Sequence, residues 1–286
     1  MKIQFLGTGA AEGAPAMFCQ CDTCNELRRR GEKEFHTRAQ YLIDGVLGID
    51  FPPDAYYHAL RFGVDLGAMH HLLVTHSHMD HFYAHDFVLR GYKYTTATDL
   101  PLTIYGNEEV VRVFNECTRR EMKDVVKSNF RLVEIQPFKP FVLGDKGEYV
   151  ATALLAQHSV NERAYVYLLE KGDTIYLHLT DTGRLPAETM DYLQTYLNAQ
   201  NKCVNFVTFD CTFLYHTAGE VSRHMGLEDN LATQREMEKR RIVNKDTKYA
   251  ITHFSHNNNP LSETLKRAEK EYGYIPAYDG ISFEME

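Results

Sequence analysis

Tryptophan is absent from the 286 residues, so aromatic packing falls to 18 tyrosines and 16 phenylalanines. No stretch approaches the ~20 consecutive apolar residues of a membrane-spanning helix, so no membrane partner is expected. The opening MKIQFLGTGAAEG lacks the apolar run of a signal peptide, and a cytoplasmic location is expected. Basic residues are also scarce. Thirty-one Lys and Arg against 39 Asp and Glu leave a formal charge of −8, the opposite of the footprint that grips nucleic acid. The one tight basic run, Arg28 to Arg30, sits among Glu26, Glu32 and Glu34 and reads as a solvated helix face. Six cysteines are too few for a disulfide scaffold in a chain this long. In a reducing compartment, clustered cysteines point to metal or catalysis.

What is abundant is histidine, with 14 in the chain. The pattern around them alternates strands and helices. Residues 2–6 read as a strand ending at Gly7, and a polar excursion runs to about residue 38. Tyr41–Ile43 and Val46–Ile49 form a hairpin about Asp44-Gly45. A helix runs from Pro52-Pro53 to about Phe62. A strand at His71–Thr75 is followed by a helix starting near His81. Leu102–Tyr105 is a strand, and Asn107 caps the next helix. Tyr149–Leu155, Ala164–Leu169 and Thr174–Leu179 are strands, and Pro186–Ala199 is helical. Cys203–Phe209 and Tyr249–Thr252 are strands flanking a charged helix over 229–243. The last helix opens after Asn259-Pro260 and closes at Gly273. This order predicts an α/β protein whose sheets lie between helical layers, folded as one unit over 1–286. Gly7, Gly9 and Gly13 do not match a dinucleotide fingerprint in spacing and predict only a tight turn beside the site.

The segment LLVTHSHMDH places His76, His78, Asp80 and His81 directly after a strand. Three imidazoles and a carboxylate in six residues form a dense nitrogen and oxygen ligand set. His76 and His78 share one side of an extended loop, and Asp80 and His81 turn to a second position. One ion cannot use all four compactly, so two are expected.

His76-Ser77-His78-Met79-Asp80-His81 resembles the signature of the metallo-β-lactamase superfamily. The resemblance continues through His158 in LLAQHS, Asp181 in LHLTDTG and His253 in YAITHFSH. Asp50, after VLGI, matches another position of that family, which implies that it orients the histidine loop; the other reading is a turn-forming Asp before proline. The resemblance implies an αββα sandwich of two mixed sheets flanked by helices. It further implies one ion on His76, His78 and His158, a second on Asp80, His81 and His253, and Asp181 bridging them. Two divalent ions, zinc or manganese, are the expected active-site cofactors.

Phe18-Cys19-Gln20-Cys21-Asp22-Thr23-Cys24 offers three thiolates to one ion in a loop at about 18–25, and tetrahedral zinc wants a fourth ligand. His256 suits it, three residues beyond His253 and free to face away. Cys117, Cys203 and Cys211 lie in apolar runs and read as core. A Cys-x-Cys-x-x-Cys loop joined to these motifs is similar to the PhnP family of phosphoribosyl cyclic phosphodiesterases. That resemblance implies a structural zinc on Cys19, Cys21, Cys24 and His256, with Asp80 and His224 as catalytic residues. It implies hydrolysis of a small cyclic phosphodiester, and many relatives are homodimers. Other hydrolases of the fold (a tRNA 3′-processing nuclease, a lactonase, a thioesterase) and a pyrroloquinoline-quinone biosynthesis oxidoreductase stand as alternatives.

Overall fold

A computed structural model describes residues 1–96, 101–219 and 221–285. The first sheet takes β1 (Lys2–Gly7), β2 (Gln40–Ile43), β3 (Leu47–Ile49), β4 (His71–Leu73), β5 (Leu102–Gly106) and β6 (Phe130–Glu134). The second takes β7 (Phe141–Leu143), β8 (Tyr149–Leu155), β9 (Tyr165–Lys171), β10 (Thr174–Leu179), β11 (Phe206–Asp210), β12 (Lys248–Thr252) and β13 (Ile275–Pro276). A last strand, β14 (Ser282–Glu284), returns to the first sheet beside β1. Among the described residues each sheet has seven strands, ordered β14-β1-β2-β3-β4-β5-β6 and β13-β12-β11-β10-β9-β8-β7. Both mix parallel and antiparallel pairs.

The helices are α1 (Asp22–Arg30), α2 (Ala55–Phe62), α3 (Glu108–Thr118), α4 (Asp124–Lys127), α5 (Ala187–Ala199), α6 (Leu227–Lys239) and α7 (Ser262–Tyr272). Apolar residues of α3, with Ala55 and Phe87, join Leu72, Val74 and Ile104 in an outer core on the first sheet. Those of α5, α6 and α7 join Leu168, Leu177 and Val207 on the second. A third core lies between the sheets, where Ile3, Phe5 and Ile43 meet Tyr165, Tyr167 and Phe206. The result is the expected αββα sandwich.

Tyrosine takes the place of tryptophan between the sheets. Tyr165 and Tyr167 are fully buried. Their hydroxyls donate to the carbonyls of Ile135, at 3.1 Å, and Val74, at 2.7 Å. A buried aromatic ring contributes roughly 2–3 kcal/mol, provided its polar end finds a partner.

Local expectations hold where turn chemistry is strong. Asp44 and Gly45 both take positive φ, 49° and 79°, as a two-residue hairpin turn requires. The Asn107 side chain accepts from Val110 N at 3.0 Å and caps α3. The helix expected from His81 is instead a 3₁₀ turn at Ala84–Leu89. Phe51 N donates to His81 O and Tyr83 N to Phe51 O, both at 2.7 Å. These bonds pull 81–83 straight beside Phe51 before a helix can form. α6 stops at Lys239, short of 243, because Arg241 turns left-handed at φ 59°. That turn drops Ile242 and Val243 into the core. The strand expected from Cys203 begins at Phe206. Cys211 is buried as expected, whereas Cys117 and Cys203 are only half-buried.

Candidate metal centre

The ligand types gather where strands of both sheets run out. Asp50 follows β3, His76 to His81 follow β4, and His158 follows β8. Asp181, Asp210 and His253 end or follow the parallel neighbours β10, β11 and β12. The carboxyl ends of parallel strands are where α/β sheets present ligand-binding loops. Asp50, Asp181 and His253 each take positive φ, at 62°, 59° and 64°. Such a conformation costs a non-glycine residue of order 1–3 kcal/mol and concentrates at functional sites.

Three overlapping groups of donors result. Ligand atoms of His76, His78, His158 and Asp181 lie within 4.8 Å of one another, as do those of Asp80, His81, Asp181 and His253, and those of Asp181, Asp210, His224 and His253. Asp181 is common to all three. His76 Nε2 is 2.9 Å from His78 Nδ1, which is 3.3 Å from His158 Nε2. Asp181 Oδ2 lies 3.5 Å from His76 Nε2 and 3.2 Å from His81 Nε2.

The donor set fits cations on an independent ground. Among the described residues, His81 Nε2, His253 Nε2 and Asp181 Oδ1 are buried with no aligned hydrogen-bond partner, although His81 Nε2 lies 3.2 Å from both Asp80 Oδ2 and Asp181 Oδ2. Asp181 Oδ1 does lie 3.0 Å from His158 Nδ1 and 2.9 Å from His224 Nδ1, but these approaches lack hydrogen-bond alignment. Orphaned polar atoms are costly unless something charged takes them up. The outer ring nitrogens are, by contrast, occupied. His76 Nδ1 meets Thr75 Oγ1 at 3.0 Å, His81 Nδ1 meets Asp50 Oδ2 at 2.7 Å, and His253 Nδ1 meets Thr212 Oγ1 at 2.8 Å. Fixing the outer nitrogen aims the inner one, the usual arrangement behind metal-binding histidines. Asp50 is fully buried and orients the loop instead of merely turning the chain.

Electrostatics follow from this crowding. Burial would raise Asp181, yet the imidazoles of His253, His224 and His158 hold it well below the carboxylate range. Burial opposes charge on His81, but Asp80 and Asp50 outweigh it and push the ring well above its usual value. Burial and the neighbouring His81 hold His76 well below.

His224 stands at the same carboxylate. Its Nδ1 is 2.9 Å from Asp181 Oδ1 and 3.2 Å from Asp210 Oδ2. Burial opposes its charge, but Asp181 and Asp210 prevail and push it up to about 11. Its side chain is 25% exposed, against 1% for His253, on whose ring it stacks.

Cys19, Cys21, Cys24 and His256 also bring their ligand atoms within 4.8 Å. Cys21 Sγ is 3.5 Å from His256 Nδ1 and accepts from Cys24 N at the head of α1. The Cys24 amide and His256 pull Cys21 down to about 6, while burial pushes Cys24 up to about 11. A Cβ on Gly7 would fall 2.0 Å from Arg38 O and one on Gly9 2.4 Å from His36 O, so these glycines permit a close backbone crossing of the segments 7–9 and 36–38.

Two groups at the site were not picked out from sequence. Asp210 accepts from Met225 N and contacts His253 and His224. It sits at the end of β11 as Asp181 sits just beyond β10, and that parallel was the available signal. Glu162 accepts from Ser77 N and Oγ, at 3.0 and 2.7 Å, and from Asn107. It steadies the loop between His76 and His78 from a distant turn, and no local pattern announces it.

The model of a beta-lactamase superfamily domain matches residues 39–244. Over the whole chain, the structure is similar to a diphosphatase of the PhnP family, at 21% identity, TM-score 0.69, and coverage of 100% of this chain and 98% of that one. It is similar to zinc-bound PqqB of Methylobacterium extorquens, at 15% identity, TM-score 0.74 and full coverage of both chains. It is also similar to the short form of human tRNase Z, at 14% identity, TM-score 0.67 and 99% coverage of both. Identities this low speak for the fold alone. An octanoyltransferase of Porphyromonas gingivalis is 28% identical over 156 residues, covering 51% of this chain but only 29% of that protein.

Proposed function

The chain belongs to the beta-lactamase superfamily and is a metal-dependent hydrolase on that fold, and from this premise we propose that it opens a small cyclic phosphodiester of the phosphoribosyl 1,2-cyclic phosphate kind. The observation that carries the reading is the two histidine-rich donor groups sharing Asp181, with His224 and Asp210 completing a third on the same carboxylate. His76, His78 and His158 would hold one divalent cation, and Asp80, His81 and His253 the other, with Asp181 between them. When bound, such a pair supplies positive charge to phosphoryl oxygens and acidifies water.

The chain's own residues do the rest. Asp50, Thr75 and Thr212 hold the histidine rings in place, so the site needs little rearrangement when charge develops. His224, partly exposed, would give a proton to the departing sugar oxygen. Water adds its oxygen to phosphorus, the ring P–O bond breaks, and the freed oxygen is protonated. The product is a phosphomonoester with a new hydroxyl. Cys19, Cys21, Cys24 and His256 would hold a structural zinc outside this chemistry. The formal charge of −8 supports a small substrate over a nucleic acid.

The test is a panel of a ribose cyclic phosphodiester, bis-p-nitrophenyl phosphate, a tRNA precursor, a lactone and a thioester, each with Mn²⁺ or Zn²⁺. Turnover of the cyclic diester, lost on chelation and in Asp181→Ala, is expected. Turnover of carbonyl esters with none of phosphodiesters would overturn the assignment.

A further inference from the structure

Asp229 is an oddity in α6. It is the third residue of the helix and fully buried. Its Oδ2 accepts from Gly226 N at 3.1 Å, as an acidic residue in a helix's first turn can. The same oxygen also accepts from Ala218 N at 2.9 Å, eleven residues back in the chain. Its other oxygen faces Arg184, with Nε at 3.1 Å and Nη2 at 3.0 Å. Ala218 and Gly226 flank His224 on either side, and Arg184 lies three residues past Asp181. One carboxylate therefore fastens both limbs of the His224 loop to the turn that carries Asp181.

A second set of contacts shows the same seating independently. A Cβ on Gly183 would lie 1.8 Å from Ser222 O, so the loop rests directly on that turn. Gln157 Nε2 donates to Ser222 O at 2.8 Å, and Gly183 N donates to Gln157 O at 2.9 Å. Gln157, Gly183 and Ser222 are near neighbours in sequence of His158, Asp181 and His224.

We propose that Asp229 is a positioning residue: it sets the imidazole of His224 against Asp181 and so governs protonation of the leaving oxygen. The proposal rests on the reading of His224 given above. Asp229 touches neither substrate nor reacting atoms. Were it only a helix cap, its loss would lower stability without favouring one substrate over another.

Leaving groups separate the two roles. A p-nitrophenolate departs without a proton, whereas a sugar alkoxide needs one. Asp229→Asn keeps the shape but turns an acceptor into a donor facing Ala218 N or Arg184. Its turnover of the cyclic sugar diester should fall ~100-fold, alongside His224→Ala, and that of bis-p-nitrophenyl phosphate less than ~3-fold. Asp229→Asn placed on His224→Ala should add nothing further, because both act on one group. Gly183→Ala, which lifts Ser222 without touching the helix cap, should show the same pattern. Equal losses on both substrates, or additive losses in the double variant, would overturn the proposal.

A readout without turnover keeps this separate from the proposed reaction. In ¹H–¹⁵N spectra of the zinc-loaded protein, with His224 assigned through His224→Gln, Asp229→Asn should shift or split the His224 ring signals and spare those of His58. Unmoved His224 signals would reject the role of Asp229 whatever the substrate. A wild type inert toward every phosphodiester, with shifted His224 signals in the variant, would reject the reaction and retain the positioning role.

Discussion

The carboxylate of Asp50 accepts at once from Thr75 N at 2.8 Å, from Thr75 Oγ1, and from the ring of His81 at 2.7 Å. Held this way, His81 can turn only its Nε2 inward, toward Asp80 and Asp181. Removing such a support leaves the ligand in place but lets its ring swing. Asp50→Ala should therefore weaken active-site metal binding by roughly 10–100-fold, the usual cost of losing a group behind a ligand. Titration against a competing chelator measures this, and excess metal should restore part of the turnover. Unchanged affinity would mean that backbone geometry alone aims His81. At this scale the sequence exposed the side chains that crowd the candidate site and concealed those that hold them in place. His76, His78, Asp80 and His81 crowd into six residues and announce a site. Asp210, Glu162 and Asp229 are lone acids in ordinary surroundings, and only folding supplies the groups they hold.

Among the elements, the cysteine loop and α1 depend most on something other than packing. The core beneath them is small: Ala14, Leu27 and Leu261, with Phe35 against them. The Arg30–Glu263 pair, at 2.6 Å, ties α1 to α7, but an exposed pair of this kind contributes only about 0–1 kcal/mol. A metal on the thiolates would then hold the loop to the His256 turn, since metal binding in such sites is itself folding free energy. Cys21→Ser should remove about one equivalent of zinc and lower the melting temperature. Protease cuts should appear first within 15–35, while the active-site ions and turnover per folded molecule remain. Full zinc content in that variant would exclude Cys21 as a ligand. The loop was legible because three cysteines and a late histidine have few other reasons for that spacing. The 3₁₀ turn after His81 was not, because hydrogen bonds to Phe51, thirty residues earlier in sequence, decide its form.

Across the whole molecule, the alternation of strands and helices gave the layers, whereas the meeting of the chain's two ends had no local sign. Thr8 Oγ1, just past β1, donates to Asp279 Oδ1 at 2.7 Å across 271 positions. Asp279 Oδ2 accepts from Thr37 N and Oγ1, Thr37 meets His58, and Thr8 meets His36. Burial pushes Asp279 up to about 6 from 3.8, against the pull of its threonine donors and a distant Arg61. The folded protein thus binds this proton more tightly than the unfolded chain, and its stability falls as pH rises from about 4 to 6. His36 and His58 work the other way, because burial lowers both to about 4 and stability rises from about pH 4 to 6.5. The wild-type profile sums these opposed slopes, so the informative quantity is its difference from Asp279→Asn. Asparagine stays neutral and can still accept from Thr37 while Thr8 turns to accept from its amide. From urea midpoints at pH 4 and pH 7, the variant should gain on wild type with rising pH, by up to about 3 kcal/mol for a two-unit shift. A difference that stays constant would mean the three donors compensate fully for burial of the charge. Asp279 would then be ionised at no cost to the fold.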